Sequence, residues 1–203
     1  MDGRVAVLVS GSGTNLQALI HDPVIGPRIV VVVSDRAGVG ALEKAAAAGV
    51  ETLVLRPADF TDRDTYTDAV RDALLERSVD VAVNAGYMRI LGPSFAKAFE
   101  GRWLNVHPAL LPAFPGAHGV RDALEWGVKV TGVTVHLVDE RVDNGPIVLQ
   151  EAIRVSPGDD WDSLEARIHE VEHRLLPRAV RALIEGRLKV EGRIVHLLEE
   201  IDD

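Results

Sequence analysis

The chain has 203 residues, 47% of them hydrophobic, no cysteine and a formal net charge of −9 at pH 7. That length suits one domain around one core, and no Pro-, Gly- or Ser-rich run divides it. The composition excludes disulfides, thiolate metal sites and a cysteine nucleophile, and the acidic balance argues against nucleic acid as a partner, so an anionic small molecule would be held by local devices such as a helix N-terminus.

The chain enters its first strand at once with "RVAVLV", which has no signal-peptide pattern, and nowhere do about 18 apolar residues run together; a cytoplasmic protein with no membrane partner is expected. Apolar, β-branched runs follow at 29–34, 52–55, 79–86 and 103–107, with helical stretches between them at 15–20 and 41–50. Continuous hydrophobicity predicts strands covered on both faces, hence a parallel sheet of right-handed βαβ units. Residues 129–138 alternate instead, which predicts a strand with Val133, Val135 and Leu137 on one side and Thr134 and His136 on a wetter one. The longest helix is expected over 161–185, and 186–200 reads as a terminal hairpin. The fold class expected is α/β: a single-domain, Rossmann-like, mostly parallel sheet flanked by helices.

Ligands of an open parallel sheet sit beyond the carboxyl ends of its strands, which directs attention to "SGSGTN", "AGYMRI" and "NVHP". In the first, Gly11 and Gly13 would let the backbone approach a phosphate at a helix N-terminus, with Thr14 or Asn15 able to cap. The same stretch half-matches G-x-G-x-x-G, and Asp35 stands where a ribose-binding acid would. The alternative reading is therefore an NAD(P)-binding Rossmann dehydrogenase or a nucleotide-binding regulatory module, although the third glycine position is Leu16.

In the last of the three, Asn105 and His107 are two apart on one strand and point the same way. An amide donor beside an imidazole suits attack on a carbonyl, with Asp139 or Asp143 available to orient the ring; a turn histidine beside proline reads the same way in sequence. Downstream, "HEVEH" fits H-E-x-x-H, in which His169 and His173 would share a zinc ion and Glu170 would polarise its water. A third ligand is missing, because Glu191 falls on the expected hairpin. The other reading is a solvated helix face with Ile168, Leu175 and Leu176 inward, and no metal site is expected.

The segments "SGSGTNLQAL", "AGYMRIL", "NVHPALLPAFPGAHG", "TGVTVHLVDERVDNGPIVLQ" and "EHRLLP" resemble, in the same order, those of the glycinamide ribonucleotide transformylase family, folate-dependent formyltransferases of purine synthesis. The resemblance spans nearly the whole chain, and the length sets it apart from formyl-folate relatives that carry an added domain. It implies a formyltransferase fold with a phosphate-binding half at 1–100 and a catalytic and folate-binding half at 101–203. It implies small-molecule substrates, glycinamide ribonucleotide and the co-substrate 10-formyltetrahydrofolate, in a monomer or homodimer.

By the same resemblance, Asn105, His107 and Asp143 are catalytic. Asn105 and protonated His107 would bind the oxygen of the tetrahedral intermediate, and Asp143 would support the imidazolium. Gly13, Thr14 and Asn15 correspond to the ribonucleotide phosphate loop, and Glu172, with His169 one turn before it, to the glycinamide end. Met88, Arg89, Ile90 and Leu91 resemble the pterin pocket, with Asn105 also touching the folate and Arg63 its glutamate tail. His118 and His136 resemble polar positions near the site.

Overall fold

The computed structural model describes residues 3–198. Five strands run parallel: β1 (Val5–Val9), β2 (Ile29–Ser34), β3 (Glu51–Val54), β4 (Val81–Asn84) and β5 (Trp103–His107). Then β6 (Val130–Leu137) pairs antiparallel with β5, β7 (Ile147–Arg154) antiparallel with β6, and the hairpin β8 (Leu188–Glu191) and β9 (Ile194–Leu197) closes that side. The resulting order is β3-β2-β1-β4-β5-β6-β7-β9-β8, the Rossmann-like α/β arrangement expected from the sequence. Six α-helices cover it: α1 (Thr14–His21), α2 (Gly40–Ala47), α3 (Arg63–Glu76), α4 (Pro93–Ala98), α5 (Gly119–Glu125) and α6 (Trp161–Ile184).

The period of two along the strands builds both cores. Val5, Val7 and Val9 of β1 pack with Leu16 and Leu19 of α1 and Leu176 and Val180 of α6. Ala6 and Leu8, pointing the other way, pack with Val70 and Leu74 of α3, Phe95 of α4 and Phe99 just after it. Both faces are buried, so these strands read as unbroken apolar runs.

The longest helix starts at a reciprocal cap between Asp160 and Ser163 and continues through Pro177, which is buried. Its far end is fastened to α1, because the Arg181 guanidinium donates to both carboxylate oxygens of Asp22 at 2.9 and 2.7 Å. No helix among the described residues is long and apolar enough to cross a membrane.

Two expectations are corrected. The run at 52–55 was expected to be covered on both faces, yet β3 is an edge strand with Glu51, Thr52 and Val54 exposed. The wetter face expected of β6 is dry, with Thr134 at 0% and His136 at 1% exposure. The loop after β5 folds back across that face and satisfies Thr134, while His136 is held by Leu137 O and Asn105. Thr134 Oγ1 donates to Ala109 O at 2.7 Å and accepts from the Leu111 N–H at 3.1 Å. Of the stretch expected to form the hairpin, Glu199 and Glu200 lie outside the described residues.

Thr134→Val keeps the shape and removes the hydroxyl, which leaves the buried Leu111 N–H without its acceptor and takes one partner from Ala109 O and from Gln150. Urea unfolding should show a loss of at least about 1–3 kcal/mol, the cost of a single unsatisfied buried group; an unchanged midpoint would mean that the loop finds other partners.

Candidate active site

The strand order reverses between β1 and β4, which opens a crevice at the carboxyl ends of the parallel strands. A cleft of about 480 Å³ lies there, lined by Asn15, the 86–91 loop, the end of β5, the 116–120 and 138–143 loops, and the N-terminal half of α6. A wider groove of about 940 Å³ lies elsewhere, between α1, α6 and the hairpin, and of the sequence-selected residues it touches only His173.

Asp143 sits at the floor of the cleft in the left-handed region at φ 48°, where the turn "VDNG" re-aims its side chain across the end of β5. Its Oδ2 receives the Gly116 N–H at 2.7 Å and faces His107 Nδ1 at 3.4 Å. Its Oδ1 faces Asn105 Nδ2 at 3.4 Å and His136 Nε2 at 3.6 Å. Burial pushes this carboxyl up, but His136, the Gly116 amide and His107 together reverse the effect and hold it below the ordinary carboxylate value.

The hydrogen bonds assign the protons. His136 Nδ1 lies 2.8 Å from Leu137 O, an acceptor only, so that nitrogen carries hydrogen and Nε2 accepts from Asn105 Nδ2 at 3.1 Å. The Asn105 amide thus turns both N–H groups inward, one strongly to His136 and one over a long contact to Asp143. His107 is buried and donates through Nε2 to Phe114 O at 2.7 Å. With Asp143 on its other side, a ring protonated at both nitrogens donates in both directions.

Across the cleft, Glu172 is 4% exposed. Its Oε2 accepts from Asn15 Nδ2 at 2.8 Å and pairs with His169 Nδ1 at 2.9 Å. This hydrogen bond to Glu172 raises the His169 pKa against the opposing effect of burial. Burial and the neighbouring His169 lower that of His173, whose ring stacks on His169 with centroids 5.9 Å apart. Asn15 Oδ1 is buried without a partner, an acceptor that an N–H or O–H donor would satisfy.

Met88 and Ile90 expose apolar side chains at the cleft, 54% and 59% accessible, and Leu91 is buried behind them. The loop is pinned by Met88 N–H to Ser10 Oγ at 2.9 Å and by Arg89 Nε to Asp35 Oδ2 at 2.7 Å.

Several sequence readings change here. Neither Thr14 nor Asn15 caps α1: Gly13 is the N-cap, without a side-chain bond, and Asn15 reaches Glu172 instead. Gly13 has φ 76°, and a Cβ on it would lie 2.7 Å from Ala41, so close helix packing requires this glycine; at Gly11 the space is open. Asp35 is 2% exposed with both oxygens engaged by Arg36 and one also by Arg89, which leaves none for a ribose. Arg63 starts α3 on the surface beside Asp64 and does not line the cleft.

His118 lines the cleft from an exposed position before α5, and Asp139 bonds the Arg141 N–H and Asn144 rather than His107. His169 Nδ1 is turned to Glu172 and Glu170 points to solvent; among the described residues no three His, Cys, Asp or Glu are grouped to hold a metal. Sequence reasoning missed Asn84, which lines the cleft and accepts from Trp103 Nε1 at 3.0 Å. A polar residue closing the apolar run "VAVN" was its signal. The Gly116 amide and the Phe114 carbonyl carry no such signal, since backbone groups have no residue type.

The formyl transferase family model matches residues 3–180. Phosphoribosylglycinamide formyltransferase of Mycobacterium tuberculosis is 49% identical over 193 residues, 94% of this chain and 89% of that protein. The trifunctional purine biosynthetic protein adenosine-3 of Drosophila melanogaster is 45% identical over 196 residues, 94% of this chain and 14% of that protein. The crystal structure of glycinamide ribonucleotide transformylase 1 from Symbiobacterium toebii superposes with a TM-score of 0.93 at 48% identity, covering 97% of this chain and 94% of that one.

The raised pKa of His169 fixes the sign of a pH effect. Stability from its pairing with Glu172 is fully present below the ordinary imidazole value of about 6.5 and fades as the pH rises through the raised one. In urea titrations across pH, His169→Asn should therefore be most destabilising in the acid range and approach wild type in mild alkali. A difference that does not vary with pH would mean that the pair adds nothing.

Proposed function

The chain belongs to the formyl transferase family, and from that premise we propose that it transfers the formyl group of 10-formyltetrahydrofolate to the amine of glycinamide ribonucleotide, giving N-formylglycinamide ribonucleotide and tetrahydrofolate in purine biosynthesis. The observation that carries this reading beyond family membership is one cleft with two carboxylates in different roles. Asp143 is matched to an imidazole and an amide, and Glu172 is held by one oxygen only.

The residues fit both substrates. At the ribonucleotide end, the unpaired Asn15 Oδ1 and the Glu172 Oε1, which takes no hydrogen bond from the protein, are acceptors for a donor-rich group. At the folate end, Met88 and Ile90 offer apolar surface to a flat heterocycle beside backbone polar groups, in a cleft within the usual size of small-molecule sites. Formyl-folate supplies a carbonyl carbon for the amine to attack.

The protein's own groups do the rest. Glu172 accepts from the amine and aims it, so encounter geometry is set before reaction. His107, supported by Asp143, places an N–H where the carbonyl oxygen gains charge; to do so it draws Nε2–H away from Phe114 O. Asn105 contributes the N–H that makes the long 3.4 Å contact to Asp143, the weaker of its two bonds, while His136 keeps the amide in register. Asp143 lies within reach of both donors and serves the proton that passes from the amine to the folate nitrogen. Gly13 and Thr14 shape the turn that presents the α1 N-terminus to the phosphate. Arg89 and Leu91 support the folate wall, and Arg63, on the surface outside the cleft, is left for the glutamate tail.

The dinucleotide alternative is not favoured, because Asp35 is consumed in ion pairs and Leu16 is core. The reading is completed by one domain over 1–203, a cytoplasmic setting, a monomer or homodimer, and no nucleic-acid partner.

A formyl-transfer assay with glycinamide ribonucleotide, run beside plain hydrolysis of formyl-folate, tests the activity. Alanine at Asn105, His107 or Asp143 should each lower kcat by at least ~10²-fold with the fold intact, since each removes an interaction made mainly in the transition state. Near-wild-type turnover by His107→Ala would refute the mechanism.

The two neighbouring glutamates of α6 separate substrate positioning from metal chemistry. Glu172→Gln should raise KM for the ribonucleotide about tenfold or more, as expected for a lost charge-assisted bond, with Glu170→Gln close to wild type and activity kept in EDTA. A larger loss from Glu170→Gln would restore the zinc reading of "HEVEH".

A further inference from the structure

Asp35 lies at the carboxyl end of β2 with its side chain fully shielded from solvent, outside the catalytic group. Arg36 engages both its oxygens, at 3.2 and 3.1 Å, and Arg89 reaches over from the 86–91 loop to Oδ2 at 2.7 Å. Burial pushes the Asp35 carboxyl up, and hydrogen bonds from Arg36, Ser10 and Arg89 more than reverse this, so it is an anion at neutral pH. Ser10 also takes the Met88 N–H at 2.9 Å, and its own N–H donates to Gly86 O at 3.1 Å. The loop that carries Met88 and Ile90 is therefore tied at residues 86, 88 and 89 to residues 10 and 35. Met88 and Ile90 have no core packing of their own to fix them, since more than half of each side chain is exposed.

We propose that Asp35 is a positioning residue for formyl-folate: its buried carboxylate, by clasping Arg89, sets the height and angle of the 86–91 loop and so the shape of the apolar wall against which the folate ring packs. The proposal rests on the reading that this loop receives the folate. Asp35 itself does not touch the ligand. Arg89, which gives its Nε–H to Asp35 while its side chain stays 45% exposed, acts in this reading through the loop backbone and its neighbours. Because Ser10 begins the glycine loop, the clasp also sets the spacing between the folate wall and the ribonucleotide turn. The acid that a dinucleotide enzyme would point outward at a ribose is here turned inward to build the second substrate's site.

The test is a steady-state comparison of Asp35→Asn, Arg89→Gln and the double variant, with formyl-folate and ribonucleotide varied in turn. The expected result is a KM for formyl-folate raised about tenfold in each single variant, with kcat and the ribonucleotide KM within about twofold of wild type. The double variant should be no worse than either single one, as a shared contact requires. Additive losses, an unchanged folate KM in Asp35→Asn, or an equal fall in kcat and rise of both KM values would overturn it. If Arg89 instead serves the ligand directly, only Arg89→Gln raises the folate KM, which also overturns it. Should Asp35→Asn fail to fold, the decision passes to Ser10→Ala, which frees the Met88 N–H and must raise the folate KM selectively. Ile90→Asp separates the two levels: if it leaves the folate KM unchanged, the loop is not the folate wall and both readings fall; if it raises the KM while Asp35→Asn does not, the clasp alone is wrong.

Discussion

A carboxylate largely withdrawn from water at Asp143 is the constraint around which the site is organised. Such a group is tolerated only where donors replace its hydration. The donors here come from separate parts of the chain: Asn105 and His107 from β5 and the Gly116 amide from the loop after it, while His136 of β6 holds the Asn105 amide in place. Bringing them together requires β6 to lie antiparallel beside β5, with Asn105 directly opposite His136. The fold's departure from a purely parallel sheet occurs at that pairing, so the topology and the chemistry share one origin.

Three buried acids and the part-buried Asp143 illustrate how an acidic chain localises charge. Asp22 is spent on fastening two helices, Asp35 on shaping a loop, Asp143 on an imidazole, and Glu172 keeps one oxygen without a protein partner. What distinguishes them is how completely each is matched within the protein. A fully matched carboxylate is structural or orienting, and a half-matched one is left to a ligand. This sorting, more than the net charge of −9, decides where an amine is welcomed.

Much of the framework was legible because its physical cause is local. Unbroken apolar runs gave the central parallel strands, the long helical pattern at 161–185 gave α6, and the spacing of Asn105 and His107 placed both on one strand face. The misreadings had non-local causes. The alternation in β6 came with a dry face because a loop more than twenty residues earlier covers Thr134. Asp35, which the alternative dinucleotide reading gave to a ribose, answers to Arg89, 54 residues away. A partner distant in sequence leaves no mark beside the residue it explains. The roles of Glu172 and the 88–91 loop came from family resemblance, because residue type alone does not tell a ligand-facing glutamate from a solvated one.

The fastening of α1 to α6 bears on how the protein is made. Asn15 meets Glu172 across 157 residues of chain, and Asp22 meets Arg181 across 159. During synthesis the glycine turn and its helix emerge first, yet they lack their partners until α6 has left the ribosome. Contacts of such long sequence separation form late and slowly. The nascent chain can settle its early parallel strands while the ribonucleotide end of the cleft stays unformed. Binding competence at that end thus waits for α6, and a ribosome stalled before α6 would hold a sheet without a substrate site.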